Sequence, residues 1–217
     1  MYLLWGVKMK IYCIPSGSLG ANTYIVYDEE SKKGFILDPG GYNDKTKDLI
    51  TNEEIELEYI ILTHGHGDHI GGVPEYKNIY QSARVLACKE ELSLMQNTSI
   101  NFSLECIGRE LALQPDVLVE DGDCIDIGNM HLKFIHTPGH TKGGMCILID
   151  NVLFSGDTLF RRSIGRTDFP GGSFEEIAKS IKEKLYILPD DVVVLPGHMG
   201  QTTIGEEKKG NPFVCLR

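Results

Sequence analysis

The stretch YIILTHGHGDHIGG, residues 59–72, concentrates side chains that can bind metal ions. His64, His66, Asp68 and His69 fall within six consecutive positions, and only glycine lies between them. Imidazole nitrogens and carboxylate oxygens are common ligands of divalent cations such as zinc, iron and manganese. Glycine between histidines brings no packing advantage to a core, so the spacing predicts a metal site rather than a structural cluster.

Three more polar side chains follow apolar, strand-like runs after a turn signal. LKFIHTPG precedes His140, NVLFSG precedes Asp157, and VVVLPG precedes His198. Loops at strand ends are where rigid scaffolds present reactive groups, so these residues are expected near the first cluster. Seven ligands are too many for one zinc ion, which usually takes four, but they suit two metals that share one carboxylate. The predicted ligands are His64, His66, Asp68, His69, His140, Asp157 and His198.

The elements that must position these residues are short strands separated by turns, in two strand-rich halves that each contain helices. This pattern predicts two sheets packed face to face with helices outside. The clearest helix begins at Ser173, whose spacing to Glu176 is that of a capping box. Residues 1–8 are expected to be an N-terminal extension and residues 9–217 a single domain. No role is assigned to residues 97–113.

The composition is that of a globular protein with an acidic surface. The formal net charge of −10 argues against nucleic-acid binding, which relies on clustered Lys and Arg. No apolar run is long enough to cross a membrane. The cysteines are scattered without a C-x-x-C pair, which favours a reducing cytoplasm. His131 and His136 lie within a predicted strand and are interpreted as structural. Oligomeric state is left open.

The motifs together resemble the metallo-β-lactamase superfamily. H-x-H-x-D-H at 64–69, TPGHT at 137–141, GDTLF at 156–160 and PGHMG at 196–200 occur in that family's order. The resemblance implies an α/β fold, an αββα sandwich of two mixed β-sheets with helices on the outer faces. GRTDFPGG at 165–172 and TTIGEEKKGNPF at 202–213 resemble the small glyoxalase II-like, or hydroxyacylglutathione hydrolase-like, enzymes.

The resemblance also implies roles for individual residues. It implies that His64, His66 and His140 bind one metal. It implies that Asp68, His69 and His198 bind a second. Asp157 would bridge the two, and Asp68 would help to orient the nucleophile, so both aspartates are predicted to be catalytic. Asp38, in ILDPGG, resembles an aspartate that orients the cluster loop, although a turn-forming aspartate before proline is an equal alternative.

The leading functional prediction is a dinuclear metal-dependent thioesterase. Two divalent ions, zinc first and iron or manganese next, can lower the pKa of a bridging water so that hydroxide attacks a carbonyl. A thioester suits such a site because its thiol leaves readily as a thiolate. S-lactoylglutathione or another anionic acyl thioester is the expected small-molecule substrate. The nineteen residues after His198 leave no room for the helical domain of full-length glyoxalase II. The predicted anion contacts are therefore Arg161, Arg162 and Arg166, unless these are solvated loop charges.

Two alternatives stay open. Persulfide dioxygenases resemble this sequence as well and use one iron held by counterparts of His64, His140 and Asp157. A non-enzymatic metal-binding module is the second alternative, and the complete ligand set argues against it. Nuclease activity is not favoured, because the net charge is negative. β-Lactamase activity is not favoured either, because no secretion signal is recognised.

Overall fold

The computed structural model describes residues 8–216 of the chain. The predicted extension, residues 1–8, therefore lies outside the described residues except for Lys8. No described helix is long and apolar enough to span a bilayer.

The first half of the chain forms a mixed six-stranded sheet whose strands follow one another in chain order. The first three strands pair antiparallel, and β3 to β6 pair parallel. The strands are β1 Met9–Ser16, β2 Ala21–Asp28, β3 Lys33–Leu37, β4 Glu56–Ile61, β5 Arg84–Cys88 and β6 Val117–Val119.

The second half forms another mixed six-stranded sheet, in the order β14-β13-β10-β9-β8-β7. Its only parallel pair is β10 with β13. The strands are β7 Cys124–Ile127, β8 Met130–His136, β9 Met145–Ile149, β10 Val152–Gly156, β13 Val193–Pro196 and β14 Thr202–Thr203. A small hairpin stands apart, with strands β11 Leu159–Phe160 and β12 Ser163–Ile164. Within the described residues the chain passes from one sheet to the other once, at 120–123.

Short helices lie between the strands. They are α1 Asp44–Asn52, α2 Gly67–Ile70, α3 Val73–Ile79, α4 Leu92–Met95, α5 Ser103–Ile107, α6 Phe174–Ser180 and α7 Ile204–Gly210. A 3₁₀ turn, Lys89–Glu91, precedes α4, and a π turn, Ile181–Leu185, extends α6. The N-cap half of the predicted capping box is present, because the Ser173 side chain accepts a hydrogen bond from the Glu176 amide at the start of α6. The Ser173 amide donates to the carbonyl oxygen of Gly139 and not to the Glu176 side chain.

Alternating side chains of β2 show how the layers are built. Tyr24 and Val26 face the core between the two sheets, where they meet Phe134 and Phe154 of the other sheet. Ile25, from the opposite face of β2, packs in a second core beneath the helices of the first half. Helices α6 and α7 cover the outer face of the second sheet through a third core. The predicted αββα sandwich is confirmed.

Candidate metal centre

The seven side chains predicted as ligands meet where strands of both sheets end. The loop after β4 carries two of them, α2 two more, and the turns after β8, β10 and β13 one each. Five are buried and two are partly exposed. In chain order they are His64, His66, Asp68, His69, His140, Asp157 and His198.

Three imidazoles form the first group, which combines both sheets. Nδ1 of His66 lies 3.0 Å from Nε2 of His140. The ring of His64 is centred 4.9 Å from that of His66 and 4.8 Å from that of His140. One ligand atom from each of the three lies within 4.8 Å of the others, so the group can hold a cation.

Two imidazoles and a carboxylate form the second group. Nε2 of His198 lies 3.1 Å from Oδ2 of Asp68 and 3.3 Å from Nε2 of His69. Nε2 of His69 is 3.7 Å from the same Asp68 oxygen. This group therefore gathers two nitrogens and one oxygen, a donor set that divalent transition metals accept.

Asp157 lies between the two groups. Its Oδ1 is 3.5 Å from Nε2 of His69 in the second group. Its Oδ2 is 3.7 Å from Nε2 of His140 in the first group and 3.8 Å from Nε2 of His198 in the second. One carboxylate thus approaches both groups at once.

The hydrogen bonding of these side chains tests whether they suit a metal. Nε2 of His64, Nε2 of His66 and Oδ1 of Asp157 are buried without a hydrogen-bond partner. Nδ1 of His140 is bonded to the carbonyl oxygen of Arg166 at 2.7 Å, so in the neutral ring Nε2 keeps its lone pair. Buried lone pairs without a donor are costly, and bound cations would satisfy them. The residues therefore fit divalent metal ions.

The carboxylate of Asp38 contacts two residues of the histidine-rich segment, Thr63 and His69. Its carboxylate accepts hydrogen bonds from the amide of Thr63 at 2.7 Å and from the Thr63 hydroxyl at 2.6 Å. The same carboxylate lies 3.0 Å from Nδ1 of His69, which leaves Nε2 of that ring free to face the other ligands. Asp38 adopts a left-handed backbone conformation with φ of 48°, which aspartate tolerates better than most residues. The contacts go beyond those of a turn former.

The pKa values of His64 and His66, in the first group, are shifted in the opposite direction from the pKa of His69, in the second group. Burial, and then the neighbouring His140, lowers the pKa of His66 to about 3, and burial also lowers the pKa of His64. These two rings are therefore neutral and ready to donate lone pairs. Burial opposes protonation of His69, but Asp157, Asp68 and Asp38 outweigh it and raise its pKa to about 10. A metal would take the place of that proton.

Glu91 is a buried acid that the sequence analysis missed. Its carboxylate accepts hydrogen bonds from the amide of Gly65 at 2.8 Å and from the amide of Gly143 at 2.7 Å. It thereby joins the loop of His64 and His66 to the loop of His140. Burial raises its pKa, although these amides oppose the shift. Glu91 follows Glu90 in a helix-like KEEL segment, which gives no signal of burial.

A cavity of about 570 Å³ opens onto the cluster. Residues 97–113, which had no assigned role, contribute Phe102, Glu105 and Cys106 to its wall. The ring of Phe102 is centred 4.8 Å from that of Phe169, and both rings border His66. This segment therefore forms part of the cavity rather than distant packing.

The three predicted anion-binding arginines are placed differently from one another. Arg166 lines the cavity. Neither Arg161 nor Arg162 is among the described residues that line it. Arg162 instead donates from Nη1 to the carbonyl oxygen of Gly210 at 2.8 Å, at the end of α7. The TTIGEEKKGNPF segment thus packs against the β11–β12 hairpin.

The two histidines interpreted as structural lie outside the cluster. His131 is exposed and lies 2.6 Å from Asp126. His136 has neighbours that can bind metals, because Cys88 and Glu90 lie within reach of it. Nε2 of His136 is bonded to the carbonyl oxygen of Lys142 at 2.7 Å, and the Cys88 thiol donates to Glu90 at 3.0 Å. His136 and Cys88 thus each have a hydrogen-bond partner without a metal.

Named relatives match over nearly the full length of the chain. Hydroxyacylglutathione hydrolase GloC of Haemophilus influenzae is 34% identical, covering 95% of this chain and 98% of its own. The probable metallo-hydrolase YqgX of Bacillus subtilis is 35% identical, with the same coverage of 95% and 98%.

Solved structures match as well. The BLEG-1 B3 metallo-β-lactamase superposes with a TM-score of 0.87 at 35% identity, over 94% of this chain and 99% of that one. TTHA1623 in a di-iron-bound form gives a TM-score of 0.81 at 30% identity, over 93% and 99%. ETHE1 from Myxococcus xanthus gives 0.80 at 27% identity, over 94% and 84%.

The family model of the metallo-β-lactamase superfamily matches residues 17–198, a range that includes all seven clustered side chains. The fold, the order of the motifs and the relatives agree with this match. The chain belongs to the metallo-β-lactamase superfamily.

Proposed function

We propose that this protein is a dinuclear metal-dependent hydrolase that cleaves thioesters of small molecules. The observation that carries the proposal is the position of Asp157, whose two carboxylate oxygens approach His140 of the first group and His69 of the second. A carboxylate shared in this way is suited to a pair of cations. The relative named as a hydroxyacylglutathione hydrolase supports a thioester as substrate.

In this proposal His64, His66 and His140 hold one metal, and Asp68, His69 and His198 hold the other. Asp157 contributes to both. Zinc is the first expectation, since nitrogen and oxygen ligands without cysteine suit it, and the di-iron-bound relative makes iron the second. The bound metals would supply Lewis acidity and a hydroxide nucleophile near neutral pH.

The protein's own residues would then position the reaction. Asp68, whose Oδ2 receives the His198 contact, faces the cavity and can orient the attacking group. Asp38 holds His69 in the required ring orientation through Nδ1. A thioester needs little acid assistance because its thiol, with an ordinary pKa of about 8.5, departs readily as a thiolate. S-lactoylglutathione is one candidate substrate.

A cytoplasmic location is also part of the proposal. All six cysteines are free, and thiols of this kind persist in a reducing compartment such as the cytoplasm.

A mononuclear-iron oxidoreductase of the persulfide dioxygenase type is the second candidate. The structural similarity to ETHE1 favours it, and His64, His140 and Asp157 could hold one iron. The hydrolase is preferred because Asp68 and His198 complete a second group with a 3.1 Å contact.

The test is metal content measured together with activity on both substrate classes. Purified protein is expected to carry about two metals per chain and to hydrolyse S-lactoylglutathione or a simpler thioester without consuming oxygen. His198→Ala should reduce the content to about one metal, whereas His131→Ala, an exposed histidine outside the cluster, should leave it unchanged. A single iron per chain with oxygen uptake on glutathione persulfide would overturn the proposal.

A further inference from the structure

The cavity over the cluster is lined mainly by apolar side chains once the proposed ligands are set aside. They come from several separate segments of the chain, which makes the apolar character a property of the folded site. They are Leu19, Phe102, Phe160, Ile164, Phe169 and Met199. Leu19 and Met199 are each 60% exposed, so apolar surface continues to the outer rim.

Phe102 and Phe169 form the part of this wall nearest to the first group. Their ring centres are 5.7 Å and 5.4 Å from the ring of His66. Phe102 has a φ of 56°, a left-handed conformation that is unusual for an aromatic residue. Backbone strain of this kind persists where the surroundings hold it, and it often marks functional sites.

Hydrogen bonds of the preceding residue, Asn101, stabilise the backbone conformation of Phe102. Asn101, which is fully buried, accepts from the Ser103 amide at 2.9 Å and donates to the carbonyl oxygen of Leu111 at 2.8 Å. The carbonyl oxygen of Asn101 also accepts from the amide of Gly67, next to His66, at 2.7 Å. The aromatic wall is therefore tied to the loop that carries the proposed ligands.

Among the described side chains that line the cavity, no unpaired Lys or Arg is available to bind a substrate carboxylate. Arg166 is the only Lys or Arg among the described residues of the wall, and its guanidinium is bonded to Asp168 through two contacts of 2.9 Å and 2.7 Å. The guanidinium also stacks over Phe169 at 4.1 Å. A substrate carboxylate would only exchange with Asp168, and that exchange gains little on an exposed pair. Glu105 adds a further negative charge to the wall.

We infer that the preferred substrates are thioesters with an apolar acyl group, which packs against Phe102 and Phe169, and that no carboxylate on the substrate is required. The inference rests on the proposed thioester hydrolase function and narrows its substrate class. It differs from the anionic acyl thioester predicted from the sequence, because the cation expected to bind the anion is already paired. Phe102 and Phe169 are then the residues that determine acyl specificity.

The experiment compares kcat/KM for a series of thioesters on one neutral thiol. Acetyl, butyryl and hexanoyl thioesters of N-acetylcysteamine would be measured beside S-lactoylglutathione with the metal-loaded protein. We expect kcat/KM to rise by about threefold for each added methylene, as burial of apolar surface predicts. S-lactoylglutathione should be a poorer substrate than the hexanoyl thioester.

Variants assign the effect to the aromatic wall. Phe102→Ala and Phe169→Ala should flatten the dependence on chain length while retaining both metals, and Phe169→Leu should preserve most of it. Phe174→Ala is the matched control, since Phe174 is an exposed aromatic residue outside the cavity. Calorimetry with the uncleavable thioether S-hexyl-N-acetylcysteamine should give weaker binding to both alanine variants, independently of turnover.

The outcomes separate this inference from the proposed function. Hydrolysis that is fastest with S-lactoylglutathione and flat along the acyl series would overturn the apolar specificity and leave the hydrolase intact. The same holds if the alanine variants keep the chain-length dependence of the native protein. Metal-loaded protein that cleaves none of these thioesters would instead refute the proposed function.

Discussion

Asp38 and His69 form a buried pair in which the carboxylate oxygen Oδ2 lies 3.0 Å from Nδ1 of the imidazole. Asp38 follows strand β3, and His69 lies in helix α2, which comes after the neighbouring strand β4. Because the carboxylate also holds the amide and hydroxyl of Thr63, it fixes both ends of the histidine-rich loop. Such outer contacts orient metal-binding rings and strengthen them as ligands.

Replacement of this carboxylate should weaken binding of the metal that we propose for the second group. Asp38→Asn keeps the size and tolerates the left-handed backbone, but the neutral amide is a poorer partner for His69. We expect metal affinity to fall by about 10- to 100-fold. Titration against a competing chelator measures this, and Asp191→Asn, at an exposed aspartate, serves as control. Unchanged affinity in the Asp38 variant would show that the pair has no positioning role.

Glu91 makes a separate prediction about stability. Glu91→Ala leaves the amides of Gly65 and Gly143 without their acceptor, and each buried unsatisfied group costs about 1–3 kcal/mol. The metal-free protein should lose free energy of unfolding of that order in urea denaturation. Glu90→Ala, at the exposed neighbouring position, should cost distinctly less. Equal losses in the two variants would contradict the linking role of Glu91.

The convergence of the seven side chains could be predicted from the sequence, whereas the residues that support them could not. His64, His66 and His69 stand in a motif that has no packing explanation, and His140, Asp157 and His198 each follow an apolar strand. Alternating apolar residues likewise predicted both sheets. Short helices such as α5 and the hairpin β11–β12 have too few residues to leave a periodic signal.

Glu91 and Phe102 are two residues of the site that could not be predicted from the sequence. Glu91 is buried only because distant loops fold over it, and the sequence around it is typical of an exposed helix. Phe102 lies in the cavity because Asn101 and its partners hold an unusual backbone conformation, which no local pattern specifies. Arg162 was predicted to contact the substrate, but it bonds instead to Gly210 at the end of α7. The sequence does not show this contact because the two residues are far apart in the chain.

Gly139 is expected to be intolerant of any side chain. Its φ is 130°, and a Cβ atom there would overlap the backbone of Ile177 in α6. Gly139→Ala should therefore displace the His140 loop and cost about 1–3 kcal/mol of unfolding free energy. Thermal denaturation and metal content measure both effects. Gly200→Ala is the matched control, because no atom lies near the added carbon. A Gly139 variant that behaves like the Gly200 variant would contradict the expected clash.

Asp28 should make stability depend on pH in acid. Burial opposes its ionisation, but hydrogen bonds from Ser31, Asn129 and Glu30 outweigh burial and hold its pKa below the ordinary 3.8. A lowered pKa stabilises the fold fully above the unfolded value, and the stabilisation is lost as pH falls through the folded value. The native protein should thus lose stability more steeply than Asp28→Asn below pH 3.8.

Denaturant titrations at pH values on both sides of that point would measure the difference. Asp191→Asn should follow the native protein throughout. Parallel acid profiles for the native protein and Asp28→Asn would argue against the assignment. The effect is structural, because Asp28 joins the end of β2 to the Asn129 turn of the other sheet.

Among the described residues, the chain crosses between the sheets only at 120–123, and this crossing divides the proposed ligands between two parts of the chain. The N-terminal fragment contains His64, His66, Asp68 and His69, and the C-terminal fragment contains His140, Asp157 and His198. A polypeptide nicked at this point would leave each fragment with an incomplete set. Reassembly of the two pieces would bury the apolar core between the sheets and would also complete the proposed ligand set, so added divalent cations should tighten an association that the core already favours.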